Sequence, residues 1–166
     1  SNNTVRVNAQ DVQATVVSEG ANLGLTQPGR IEFEKAHGRI NTDAIDNSAG
    51  VNMSDYEVNI KILLSSLAEL GRLKTIDKRN QILDKATHEV TKLVLKNNIS
   101  QHNLISMDQF RSKTNPIFIE DTLNQLEKEH RLSIKDEQIP TAKQRLNYYQ
   151  SNASLPRSVI AKCQAY

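Results

Sequence analysis

The sequence predicts a mainly helical chain with a small β portion near its front. Three observations carry that expectation. All six glycines (Gly20, Gly24, Gly29, Gly38, Gly50 and Gly71) lie in the first part of a 166-residue chain, which divides a turn-rich front from a glycine-free back. In the back, Leu83, Ala86, Val90, Leu93 and Val94 recur at spacings of three and four from Asp77 to Leu95, the pattern of one buried helical face. In the front, Val12-Gln13-Ala14-Thr15-Val16-Val17 concentrates β-branched residues in a short run and reads as a strand that stops at Ser18-Glu19-Gly20.

Taken in order, a loop from Ala21 to Gly29 follows that strand. Arg30 to Glu34 fits either a helical turn or a second short strand. Gly38-Arg39-Ile40-Asn41-Thr42 reads as a strand ended by the polar stretch Asp43 to Ser48. Ser54-Asp55-Tyr56-Glu57 has the form of a capping box, Ser at the N-cap and Glu three residues on, and predicts a helix from Asp55 to Leu70 stopped by Gly71. Asn115-Pro116 opens a further helix with Pro in its first turn, carrying Ile119, Leu123 and Leu126 inward. Ser133 to Pro140 reads as a charged loop. Thr141 to Gln150 and Leu155 to Ala165 read as shorter helices, the second with Pro156 in its first turn.

Charge and composition exclude several classes. Twenty-one Lys and Arg stand against 19 Asp and Glu, a net charge of +2. So small an excess argues against a dedicated binder of nucleic acid, which would normally carry a basic stripe. The mixed Lys74, Lys78, Arg79 group, interleaved with Asp77 and Asp84, reads as a solvated helix start. No apolar run approaches the roughly 20 residues that a membrane helix needs. A single cysteine, Cys163, permits no intramolecular disulfide and no cysteine-built zinc site, and its apolar neighbours predict an inert thiol. His37, His88, His102 and His130 show no ligand spacing, and Tyr148-Tyr149 reads as packing. No metal is expected. No secretory signal is evident, which makes the cytoplasm the expected location. The absence of a starting Met, and residues 1–3 read as a vector-derived scar, make the chain an expected piece of something longer.

Two clusters carry possible chemistry. Glu19-Gly20-Ala21-Asn22, with Gly24 and Thr26 beyond, sets small residues and a bidentate amide after a strand, where a ligand can approach closely. Asp46-Asn47-Ser48-Ala49-Gly50-Val51 precedes a helix start, where unpaired N–H groups favour carboxylates and phosphates. Ser54 serves either as a plain N-cap or as a hydroxyl offered to an anionic ligand.

These residues resemble a known family. Glu19 to Asn22, then the string Arg39-Ile40-Asn41-Thr42-Asp43-Ala44-Ile45-Asp46-Asn47-Ser48-Ala49-Gly50-Val51, then Asp55 to Leu64, are similar in order and spacing to glutamate dehydrogenases, and most of all to the large bacterial NAD-specific enzymes. The resemblance continues more weakly through Asp77 to Asn97 and returns at Ser154-Leu155-Pro156-Arg157-Ser158-Val159. It implies that residues 4–71 form the end of a dinucleotide-binding, Rossmann-like α/β domain and residues 72–166 a helical C-terminal region. It further implies that Asn22 and Asn47, with Gly20 and Ala21, lie near the nicotinamide end of NAD. Val51 and Ser54 would contact glutamate, or 2-oxoglutarate in the reverse direction. A compact glutamate dehydrogenase carries Asn-Ala-Gly-Gly where this chain has Asn47-Ser48-Ala49-Gly50. Neither the lysines and aspartate of the family's substrate domain nor a G-x-G-x-x-G loop is found here, so no catalytic residue is assigned. The resemblance thus implies a homo-oligomeric enzyme of which this piece is one wall, inactive alone. The alternative is a helical interaction or regulatory module without a catalytic role.

Overall fold

A computed structural model describes residues 2–166. The reading of residues 1–3 as a scar falls partly on Ser1, outside the described residues. The chain divides into two compact units: residues up to Asp46 joined by His102–Tyr166, and Asn47–Gln101.

The first unit contains α1 (Gln27–Lys35), the single turn α2 (Asp43–Asp46), and three later helices, α5 (Pro116–Lys128), α6 (Ala142–Gln150) and α7 (Arg157–Cys163). Thr26 caps α1, its Oγ accepting the Gly29 N–H at 3.2 Å, and Pro28 sits in the first turn, where its missing donor costs nothing. The helix therefore takes over the last part of the predicted Ala21–Gly29 loop and decides Arg30–Glu34 in favour of helix. α5 starts at Pro116 as predicted and buries Ile119, Leu123 and Leu126. α6 opens with a capping box: the Thr141 hydroxyl accepts the Gln144 N–H while the Gln144 carboxamide oxygen accepts the Thr141 N–H at 2.8 Å. The core joins these three α5 residues to Ile105, Leu132, Ile139, Leu155, Val159, Ile160 and Ala161. Leu132 and Ile139 pin the charged segment between α5 and α6 to that core. A smaller cluster of Ala9, Phe33 and Ile40 underlies the front.

The second unit is built from α3 (Ser48–Glu69) and the leading part of α4 (Ile76–Thr114). Gly71 ends α3 as the sequence predicts. It adopts φ +69°, its N–H donates to the Ala68 carbonyl at 3.0 Å, and the Arg72 N–H donates to Leu67 at 2.9 Å, a complete Schellman turn. Thr75 caps α4 through the Lys78 N–H at 3.2 Å. α4 runs 39 residues, well past Leu95, because neither Pro nor Gly interrupts it before the Asn115-Pro116 pair. Leu64 and Val94 are buried in this unit, and Leu83, Ala86 and Val90 are half-buried, but Leu93 is exposed.

Two expectations are overturned. The α/β reading fails: the described residues form no sheet, and the expected strands Val12–Val17 and Gly38–Thr42 meet only in an isolated parallel bridge between Val16 and Arg39. That bridge has the Val17 N–H donating to Arg39 and the Arg39 N–H donating to Thr15, both at 2.9 Å. β-branched residues favour an extended chain, but a strand exists only where a neighbour supplies a ladder, and one bridge is no ladder. The end of a Rossmann-like sheet is therefore absent from residues 4–71. The helix at Ser54 also starts earlier than predicted. α3 begins at Ser48, six residues before Ser54, so Ser54 and Glu57 form no capping box; the Ser54 hydroxyl donates to the Gly50 carbonyl at 3.1 Å, and Glu57 pairs with Lys61 at 2.5 Å. The small residues of Ser48-Ala49-Gly50 are compatible with helix, and a glycine there costs only about 1 kcal/mol relative to Ala.

Candidate functional site

In the first unit the segment Gly20-Ala21-Asn22 is exposed on a loop whose two ends are tied down. Glu19 holds it. The Glu19 carboxylate is buried and accepts the Leu25 N–H at 3.0 Å, across the loop, and the Arg30 side chain at 2.8 and 3.0 Å. The Glu19 N–H donates to Asp46 at 3.0 Å, and the Leu23 N–H donates to Asp43 at 2.9 Å. Arg30 also lies 3.2 Å from Asp43. Two carboxylates therefore share one buried guanidinium while each also binds loop backbone. Burial opposes ionisation of Asp43, but the Leu23 N–H and Arg30 outweigh it and hold its carboxyl below the ordinary value. Gly24 lies close to this anchor, since a β-carbon there would meet the Glu19 carboxylate at 3.2 Å. At Gly20, by contrast, a β-carbon would meet no atom within 4 Å, and the backbone needs no positive φ. Nothing among the described residues requires glycine there.

A second layer supports the first. Asp46 receives the Asn41 amide at 2.9 Å, and the Asn41 carbonyl oxygen accepts the Arg157 Nε at 2.9 Å. At the start of α7, Pro156 has no side chain able to cap. Glu34 of α1 does so instead, accepting the Arg157 and Ser158 N–H groups at 2.7 and 3.2 Å and the Ser158 hydroxyl at 3.1 Å. Burial pushes the Glu34 carboxyl above its ordinary value, against the pull of those donors. Sequence reasoning assigned no role to Glu34, Asn41 or Arg157. The one available signal was the proline at the start of α7, which leaves helix N–H groups in need of a distant acceptor.

In the second unit, Asn47, Val51 and Ser54 lie at the start of α3. Asn47 occupies the N-cap position without a side-chain cap bond. The Ser48 hydroxyl is buried and accepts the Asn98 amide at 3.0 Å, fixing the first turn against α4. Val51 and Ser54, three apart, share a helical face and are both exposed. The six residues expected to touch cofactor and substrate thus fall into a trio in each unit.

Elsewhere the chemistry is structural. Among the described residues no three His, Cys, Asp or Glu converge as metal ligands. Burial pushes the Cys163 thiol up to about 12, so it stays protonated at neutral pH. The Tyr149 hydroxyl donates to Glu120 at 2.7 Å, and both tyrosines pack on the main core. No described helix is long and apolar enough to cross a membrane.

The model of the bacterial NAD-glutamate dehydrogenase catalytic domain matches residues 1–108, well over half of the chain. The chain belongs to that family. It is 55% identical over 105 residues to the NAD-specific glutamate dehydrogenase of Mycobacterium tuberculosis, covering 63% of this chain and 6% of that protein. Against the NAD-specific glutamate dehydrogenase of Pseudomonas aeruginosa it is 36% identical over 166 residues, all of this chain and 10% of the relative. With that of Halomonas elongata it shares 44% over 113 residues, 68% of this chain and 7% of the relative. The chain therefore spans a tenth or less of the length of these curated relatives.

Proposed function

We propose that this chain forms one wall of the cofactor and substrate site of an NAD-dependent glutamate dehydrogenase, and that it is inactive alone. The reaction converts L-glutamate, NAD⁺ and water to 2-oxoglutarate, ammonium, NADH and a proton. Membership of the bacterial NAD-glutamate dehydrogenase family supports the reaction. The observation that carries the site is the exposed Gly20-Ala21-Asn22 segment, held at both ends by Glu19, Asp43 and Asp46. A loop fixed in this way keeps its shape before a ligand arrives, which limits the entropy lost on binding. Gly20, with open space where a side chain would stand, suits the close approach of a flat ring. Bound NAD supplies the hydride acceptor. On this reading Gly20, Ala21 and Asn22, and separately Asn47, orient its nicotinamide end.

Val51 and Ser54 receive the glutamate. Ser54 has one hydroxyl proton, now given to the Gly50 carbonyl, and must turn it to the distal carboxylate of the substrate. The exchange is favourable because a bond to a charged acceptor is stronger than one to a carbonyl inside an exposed helix turn. The same protein is read as a cytoplasmic homo-oligomer, the second point supported by exposed Val58, Ile62 and Leu63 on α3.

Ser54→Ala in the full-length enzyme tests the site. The KM for glutamate rises about ten- to a hundred-fold, the equivalent of about 1.5–3 kcal/mol, while the KM for NAD and the melting temperature stay put. An unchanged glutamate KM sinks the assignment. The isolated chain shows no glutamate-dependent formation of NADH by absorbance; measurable turnover would refute its inactivity.

A further inference from the structure

We propose that Arg157, in the α7 segment far from the Gly20–Asn22 loop in sequence, is a positioning residue that sets the geometry of that loop. The inference rests on the reading that Gly20, Ala21 and Asn22 face NAD. It concerns a residue beyond the 1–108 stretch that the family model matches.

The link is a series of directed hydrogen bonds within one unit. Arg157 Nε donates to Asn41 Oδ1 at 2.9 Å, Asn41 Nδ2 donates to Asp46 Oδ1 at 2.9 Å, and Asp46 Oδ2 accepts the Glu19 N–H at 3.0 Å. Glu19 opens the loop and, through its carboxylate and Leu25, also closes it. The chemistry of the ends fixes the sense of the series. A guanidinium can only donate, and an ionised carboxylate can only accept. Asn41, between them, must turn its oxygen to Arg157 and its NH₂ to Asp46. Without the guanidinium, only the Asp46 carboxylate still favours that orientation. His102 Nδ1 lies 3.4 Å from the same Asn41 nitrogen, and a reversed amide would place an oxygen against the Asp46 carboxylate. Asp46 would then lose a donor on one oxygen while the other holds the loop backbone.

Arg157 is itself held from several sides. Its Nη1 donates to the Ser106 hydroxyl at 2.9 Å, its Nη2 to the His102 carbonyl at 3.4 Å, and its backbone N–H to Glu34 at 2.7 Å. The Nε branch bonds the series directly, at Asn41. The side chain can therefore be removed while the Glu34 cap on the α7 backbone remains. Ser106 offers a control, since it touches Arg157 but lies off the series.

The test uses the full-length dehydrogenase with four variants: Arg157→Ala, Arg157→Lys, Ser106→Ala and Gly20→Val. Arg157→Ala raises the KM for NAD about tenfold and leaves the KM for glutamate within twofold, and the effect disappears in an Asn41→Ala background because the series is already cut. Arg157→Lys, which keeps the charge but not the directed Nε donor, shows the same NAD selectivity at smaller size, and it carries the test if the alanine variant fails to fold. Ser106→Ala leaves both KM values unchanged. Effects of Arg157→Ala and Asn41→Ala that simply add, or a lowered melting temperature with both KM values intact, overturn the proposal and leave Arg157 a fold-holding residue. Gly20→Val separates the two levels: if it fails to raise the NAD KM, the cofactor reading of the loop is wrong; if it raises that KM while both Arg157 variants do not, only the positioning role is wrong.

Discussion

The two units handle the same kinds of side chain in opposite ways. In the first, two ion pairs have a buried guanidinium: Glu19 with Arg30, and Glu120 with the almost fully buried Arg145, whose Nε and Nη2 donate at 2.7 and 2.6 Å while its Nη1 donates to the Pro140 carbonyl. In the second, Glu57 and Lys61 pair on the open surface, and so do Glu89 and Lys92. The apolar residues follow the same division. The first unit encloses a core around Leu123, Leu155 and Val159, whereas α3 leaves Val58, Ile62 and Leu63 at 54, 60 and 58% exposure. Two helices have only one shared face, so a helix apolar on several faces cannot bury itself with a single neighbour. The first unit encloses a core of its own, although Phe110 and Ile117 stay 67 and 70% exposed. The other presents surface that suits burial against something further.

The sharpest way to break this comparison is to remove one carboxylate from each unit. Glu120→Ala strands a buried guanidinium and costs about 3–5 kcal/mol by denaturant unfolding, a large share of a domain's stability. Glu57→Ala leaves the melting temperature unchanged. Equal effects would remove the distinction between the units. The sign of the pH dependence follows from the same pair. Burial alone would raise the Glu120 carboxyl, but Arg145 and Tyr149 outweigh it and hold it below its ordinary 4.5. Its stabilisation is thus present above that value and fades as pH falls through the folded pKa. Glu120→Gln therefore shows a flatter acid limb in its stability curve. Glu34 has the opposite sign: its carboxyl is raised, so its contribution is full below 4.5 and declines as pH rises through the folded value.

A smaller effect sharpens the account of packing in the first unit. A β-carbon at Gly38 would stand 2.3–2.5 Å from the ring of Phe33, which is itself buried. Gly38→Ala then costs about 1–3 kcal/mol by thermal or urea unfolding. A variant as stable as the parent would show that the Phe33 ring has room to move.

The smallest change in stability comes from the α3 surface, and its readout is assembly. Val58→Lys with Ile62→Lys leaves the melting temperature of the 166-residue chain nearly unchanged, since both side chains are already wet. Sedimentation velocity shows self-association of the parent chain and its loss in the variant. A parent chain that stays monomeric at high concentration would mean that the exposed apolar face drives no pairing of copies.

Much of the helical framework was legible in the sequence because its signals are local. Pro116 fixes a start, Gly71 a stop, and Ile119, Leu123 and Leu126 a face, each through geometry within one or two turns. The same holds for the family, which the strings around Glu19 to Asn22 and Arg39 to Val51 declare by residue order alone. Three things lay beyond local signals. Whether Val12–Val17 joins a sheet depends on neighbours, and the chain offers it one bridge to Arg39. Local signals put the start of α3 at Asp55, but the contact of Ser48 with Asn98, 50 residues on in sequence, helps fix it at Ser48. Which groups hold the Gly20–Asn22 loop depended on bringing Glu19, Asp43 and Asp46 together, with Asn41 and Arg157 behind Asp46. A side chain's propensity is its own, but a hydrogen-bond partner is set by the path of the whole chain. Only the tertiary structure decides that path.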